Sequence, residues 1–159
     1  EIINGTEIGS IAAPYMEKGE IVPDEIPIKL IADQIKENPN ANGFIFKGFP
    51  RTILQAYILD GLLQRVNMRV SNMIELKLNT LEAIKRLSER GKDKKRARPY
   101  DLSTELIINR LEQYRKKTDP AIAYYQKQNK YSKINAKGSE EEVFNRLSDE
   151  VEETLKKNF

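Results

Sequence analysis

Neither cysteine nor histidine occurs among the 159 residues. Without cysteine there is no disulfide scaffold and no thiolate metal site. Without histidine there is no His-based zinc site, no Ser-His or Cys-His dyad and no imidazole general base. No run of about 18 apolar residues is present, so no segment is fit to span a membrane as a helix. Charge of one sign is lacking too. Lys+Arg 27 against Asp+Glu 24 leaves +3, an excess too mild to mark a nucleic-acid binder. The first residue is Glu1 and no signal-peptide pattern follows it. The expectation is a cytoplasmic chain whose front end has been cut. What is present, 39% hydrophobic and 32% charged residues, suits one domain. At this length folding buries about 70% of the unfolded chain's surface.

Local clustering says more than the total. Lys92, Lys94, Lys95, Arg96 and Arg98 fall within seven positions, and Glu140 to Glu153 is rich in acids. Both runs read as solvated faces. The basic one has a second reading as a nucleic-acid patch, which the absence of interleaved aromatics disfavours.

Apolar periodicity and turn chemistry predict alternating helices and short strands. Ile8, Ala12, Tyr15 and Met16 are spaced for a helix ending near Gly19. Pro23, Asp24 and Glu25 open the next, which the Asn38-Pro39-Asn40 segment stops. Gly43-Phe44-Ile45-Phe46 reads as a buried strand, and Thr52 with Gln55 as a capping box for a helix through Leu63. Met73 to Leu78 predicts a strand, and Asn79 caps a helix through Ile84 and Leu87. Ser103 starts a long helix carrying Pro120, Tyr131 to Asn135 reads as a strand, and Ser139 with Glu142 caps a final helix. That rhythm predicts an α/β fold with a parallel sheet. Three strands make a thin sheet, which points to strands missing from the front.

The most specific segment is Gly43-Phe44-Ile45-Phe46-Lys47-Gly48-Phe49-Pro50-Arg51-Thr52, followed by Gln55. Read alone, it is either a tight strand-to-helix turn with a solvated arginine or a ligand-binding turn at a sheet edge. It resembles the D-G-F-P-R-T-x-x-Q-A signature of adenylate kinases and related nucleoside monophosphate kinases. The likeness continues in order along nearly the whole chain. Asn4 to Gly9 and Gly19 to Glu25 look like that family's AMP-binding helices and their turn. Arg86-Leu87-Ser88-Glu89-Arg90-Gly91, Thr118 to Tyr125, and Ile134 to Ser139 look like its R-x-x-x-R-G stretch, its T-x-P-x-I-x-Y-Y helix and its last strand.

The resemblance implies a P-loop NTPase, nucleoside monophosphate kinase-like fold over 1–159. It puts AMP-binding helices in 1–42, core in 43–90, a short lid at 91–101, and core helices with the last strand in 102–159. It implies that Arg51 contacts the AMP phosphate, that Gln55 bonds the adenine edge, and that Ile21, Val22 and Gly48 line the AMP pocket. It places Arg86 and Arg90 on the ATP side, with Ala136 and Lys137, and lets Arg98 and Arg110 complete a phosphate clamp. The guanidinium groups of 51, 86, 90 and 110 are expected to converge at one rim. No protein-held metal is expected; Mg²⁺ comes with ATP, the nucleotides ATP, AMP and ADP are the partners, and the chain is expected to be a monomer without membrane or nucleic-acid partners. Such chemistry needs positioning and charge neutralisation, so histidine is dispensable. Arg86 and Arg90 also suit the end of a helix, and Arg110 could instead pair with Asp101.

Four departures accompany the likeness. The G-x-x-G-x-G-K phosphate loop and its strand are absent from these residues, Lys47 stands where the family usually has an aspartate near Mg²⁺, the lid is short and without cysteine, and Arg98-Pro99-Tyr100-Asp101 replaces G-R-x-D-D. The expectation is an N-terminally incomplete, inactive adenylate kinase. The alternatives are a non-catalytic nucleotide- or partner-binding module of the same fold and a kinase for UMP or CMP.

Overall fold

Two parallel strands, β1 (Met73–Lys77) and β2 (Tyr131–Asn135), pair in register from Met73 with Tyr131 to Lys77 with Asn135. The computed structural model describes residues 7–18 and 20–158, so Gly19 and the Asn4-Gly5-Thr6 part of the family likeness lie outside the described residues. Parallel strands need a long crossover. Here it runs through α4 (Thr80–Lys92), a 3-10 turn at Pro99–Asp101 and α5 (Thr104–Gln126). Ahead of β1 come α1 (Glu7–Glu17), α2 (Glu25–Glu37) and α3 (Ile53–Gln64); after β2 comes α6 (Glu140–Asn158).

The helix starts follow their side-chain chemistry. Thr52, Asn79 and Ser103 each accept an orphan backbone N–H, from Gln55, Glu82 and Leu106. Ser139 and Glu142 form a reciprocal box. The reciprocal half is missing at Thr52, because the Gln55 carboxamide turns elsewhere. Pro120 lies inside a continuous α5.

The core holds two apolar clusters. Ile35, Leu59 and Leu63 gather Ile31, Phe44, Phe46 and Phe49 around them. Ala56, Ala121 and Tyr125 are fully buried where α3 meets α5, and the two small side chains let the helices approach closely.

One element differs from expectation. Gly43 to Phe46 is not a strand, and the sheet has two strands among the described residues rather than three. A strand exists only through a hydrogen-bonded neighbour, and β1 pairs with β2 alone. Phe44 and Phe46 still pack into the core, while Ile45 between them is 94% exposed. The alternation of a strand survives without its ladder.

Candidate functional site

The turn after Phe46 is built around one close approach. Gly48 has φ +76°, in the left-handed region, and a Cβ there would lie 2.7 Å from the Arg51 guanidinium. The bare α-carbon lets Arg51 fold back and donate from Nε to the Gly48 carbonyl at 2.7 Å. Gln55, only 1% exposed, accepts the Arg51 backbone N–H at 2.7 Å through Oε1 and donates from Nε2 to Asp24 at 2.8 Å. Thr52 donates to the same Asp24 oxygen, and Thr118 donates to the Arg51 carbonyl. The arginine is thus held by α2, α3 and α5 together. Burial pulls its guanidinium below the ordinary arginine pKa; Tyr100 opposes the shift, and the nearby charge of Arg98 adds a smaller push in the same direction as burial. A half-buried cation with no carboxylate partner among the described residues favours an anionic ligand.

That turn forms one wall of a cleft of ≈ 340 Å³, within the size range of small-molecule sites. Ile21, Val22, Leu30 and Ile31 supply its apolar lining, Gly48, Arg51 and Gln55 its polar side, and Lys47, Arg98 and Arg110 further cations. Glu20 is the one acidic liner among the described residues. Tyr100 also lines it, with Arg110 over its ring at 5.5 Å from the centroid and Arg98 donating to its hydroxyl at 2.8 Å.

A second group of arginines faces the protein instead. Arg90 grips Asp101 with two bonds, 2.7 Å from Nε and 2.8 Å from Nη2. The carboxylate side chain is fully buried and Arg90 is 25% exposed. Burial alone would raise the Asp101 pKa, but the Arg90 side chain and the Arg98 backbone N–H outweigh it and hold the carboxyl below its ordinary value. Gly91 permits this joint, since a Cβ there would collide with the Asp101 carbonyl oxygen. Arg86 donates to the carbonyls of Ala136 and Gly138, both at 3.2 Å, and pairs with Glu82 along α4. Arg146 donates to the carbonyls of Asn135 and Lys137. Two arginines therefore clamp the turn after β2.

Of the expected site residues, the cleft gathers Ile21, Val22, Gly48, Arg51, Gln55, Arg98 and Arg110. It does not gather Arg86 or Arg90, nor Ala136 and Lys137, which lie together at the clamped turn. Convergence of 51, 86, 90 and 110 on one hollow is therefore met by 51 and 110. Arg90 comes only as near as the Tyr100 ring, 5.8 Å from its centroid. The Arg110–Asp101 pair does not form, because Asp101 is already taken by Arg90.

Three residues escaped the sequence reading. Asp24, read only as a charge facing a helix dipole, anchors Thr52 and Gln55 across 28 and 31 positions. Tyr100 organises three arginines, and an aromatic between Arg98 and Asp101 was the available sign. Arg146 had none. A larger hollow of ≈ 480 Å³ lies by the amino ends of β1 and β2, lined by Asn72, Ser132, Glu150 and Thr154 among others. It holds none of the expected residues, and its polar groups bond one another through Asn72 Nδ2. Among the described residues no helix is long and apolar enough to cross a membrane, and no group of three or more Asp or Glu is placed to hold a metal ion.

A family model described as adenylate kinase matches residues 1–130. The adenylate kinase of Flavobacterium psychrophilum is 37% identical over 150 residues, covering 94% of this chain and 78% of its own. That of Azobacteroides pseudotrichonymphae is 39% identical, with 96% and 78% covered. That of Parabacteroides distasonis is 41% identical, with 92% and 75% covered. Sequence likeness of this extent, over an α/β structure with a parallel sheet, shows that the chain belongs to the adenylate kinase family, enzymes of the nucleoside monophosphate kinase type.

Proposed function

We propose that the protein serves the reaction ATP + AMP ⇌ 2 ADP and that the ≈ 340 Å³ cleft is its AMP site. The observation that carries this is the pairing, in one hollow, of a held arginine with an apolar lining and a buried carboxamide. Arg51 takes the AMP phosphate through its guanidinium fork. Ile21, Val22 and Gly48 enclose the nucleoside, and Gln55 reads the adenine edge with the second N–H of Nε2 and the second lone pair of Oε1, the first of each being used by Asp24 and Arg51. Arg98 and Arg110 lie on the phosphate side. ATP belongs near the turn after β2, where Ala136 and Lys137 meet the base; Arg86 and Arg90 would reach its phosphates only by exchanging the partners they now hold, Glu82 with two carbonyls and Asp101.

The residues' own part in catalysis is to orient two nucleotides and neutralise charge as the phosphoryl group passes between them. Mg²⁺ arrives as the ATP complex and supplies further neutralisation. The donor set around the cleft does not fit a protein-held ion, since among the described residues four cations there face Glu20 alone. The 91–101 segment is the lid, and the working protein is a cytoplasmic monomer.

The 159 residues carry no G-x-x-G-x-G-K sequence, whose backbone N–H groups and lysine cradle ATP phosphates. This polypeptide is therefore expected to bind AMP yet form ADP only at background rate. Titration with AMP, UMP and CMP, beside a coupled assay for ADP, tests both points. AMP bound in preference to the pyrimidine nucleotides supports the reading, and equal or no binding sinks it. Robust turnover would show the loop to be dispensable. Lys47 in the cleft favours a second reading, a nucleotide-binding module without catalysis. Lys47→Asp in a loop-bearing chain separates them: a rise in turnover marks an enzyme hindered by Lys47, and no turnover in either form marks the module.

A further inference from the structure

We propose that Lys47 is a phosphate-recognition residue of the cleft, a specificity determinant favouring a dianionic phosphate monoester over the uncharged nucleoside. The inference rests on reading the cleft as an AMP site, and it goes beyond the family likeness, in which an aspartate usually stands at this position.

Among the described residues the cleft carries four cations, Lys47, Arg51, Arg98 and Arg110, against one carboxylate, Glu20. Three of the four are engaged by the protein. Arg51 donates to the Gly48 carbonyl, Arg98 donates to the Tyr100 hydroxyl, and Arg110 lies over the Tyr100 ring. Lys47 is exposed and makes no hydrogen bond or ion pair with any described residue. Toward the described residues its ammonium keeps all three donors.

Placement strengthens the case. Lys47 adjoins Gly48, the residue whose carbonyl holds Arg51 Nε. Both cations thus hang from one turn and face one hollow. Among the described residues Glu20 is the one carboxylate lining the cleft beside them. A phosphate dianion would satisfy both at once, one through a planar fork and the other as a point charge. A solvated surface lysine would do nothing of the kind.

Calorimetric titration of AMP and of adenosine, each into wild type, Lys47→Ala and Lys47→Gln, distinguishes these at 50 and 500 mM NaCl. Melting curves confirm that each variant is folded. Both variants should bind AMP about 3- to 10-fold more weakly at low salt, as suits one exposed charged contact, with adenosine unchanged. The difference should shrink at high salt through screening, and below about pH 6, where a phosphate monoester loses its second charge. AMP affinity unaltered in both variants overturns the inference while leaving the AMP site standing. Equal weakening of AMP and adenosine also overturns it, because that reports packing. If wild type binds no AMP, the cleft reading falls and this inference with it.

Discussion

Two arginine-rich regions of this molecule solve opposite problems. Around the cleft, cationic groups face a hollow and Lys47 has no partner among the described residues. At the joint between α4, the Pro99–Asp101 turn and the loop after β2, the arginines are already occupied. Arg90 holds a buried carboxylate with two bonds, and Arg86 and Arg146 hold backbone carbonyls. The same side chain is therefore an anion receptor in one place and a rivet in the other. What separates them is the count of acceptors nearby, which no tally of arginines reveals.

The comparison is easiest to break at Asp101. Asp101→Asn leaves Arg90 facing a neutral amide and should cost about 3 kcal/mol, as breaking a buried ion pair does, read as a fall in the denaturation midpoint. The Asp101 carboxyl is held below its ordinary value in the folded protein, so its contribution is complete above about pH 4 and disappears as pH falls through that lowered native value. The gap between wild type and Asp101→Asn should hold from pH 8 to 5 and close in acid. A gap that widened in acid would contradict the pairing.

Next in size is Gly91→Ala. The new methyl meets the Asp101 carbonyl oxygen, so the turn must shift at a cost of about 2 kcal/mol; thermal unfolding checks it, and wild-type stability would mean the joint is looser than described. Smallest is Arg86→Ala, which removes two bonds between part-exposed groups at the turn after β2. About 1 kcal/mol is expected, with faster hydrogen exchange at residues 136–138 and no change in AMP affinity. Lost AMP affinity would erase the division between the two regions.

Much of this was legible from sequence because its causes are local. Helix caps at Asn79, Ser103 and Ser139 depend on one side chain and the next few N–H groups. The strands Met73–Lys77 and Tyr131–Asn135, which pair with each other, are short segments carrying Met73, Ile74, Leu76, Tyr131 and Ile134 among polar residues. The 43–46 segment was misread because a strand is a property of two segments, and sequence pattern reports only one. Arg90 and Arg110 illustrate the same limit. Both stood within reach of Asp101 by spacing, yet only folding decides which arginine arrives, and Tyr100 then receives the other. Gln55 was visible as a cap and as a family residue, while its partner Asp24, 31 positions away, was beyond any local pattern.

The central claim is that the cleft around Arg51 takes the phosphate of AMP. It is tested most directly by titrating AMP and adenosine, under identical salt and pH, into wild type and Arg51→Ala. Wild type should bind AMP at least about tenfold more tightly than adenosine, and Arg51→Ala should abolish that preference, a loss of up to about 100-fold for a half-buried charge-assisted contact. AMP and adenosine bound alike by wild type, or AMP bound equally by both proteins, would contradict it.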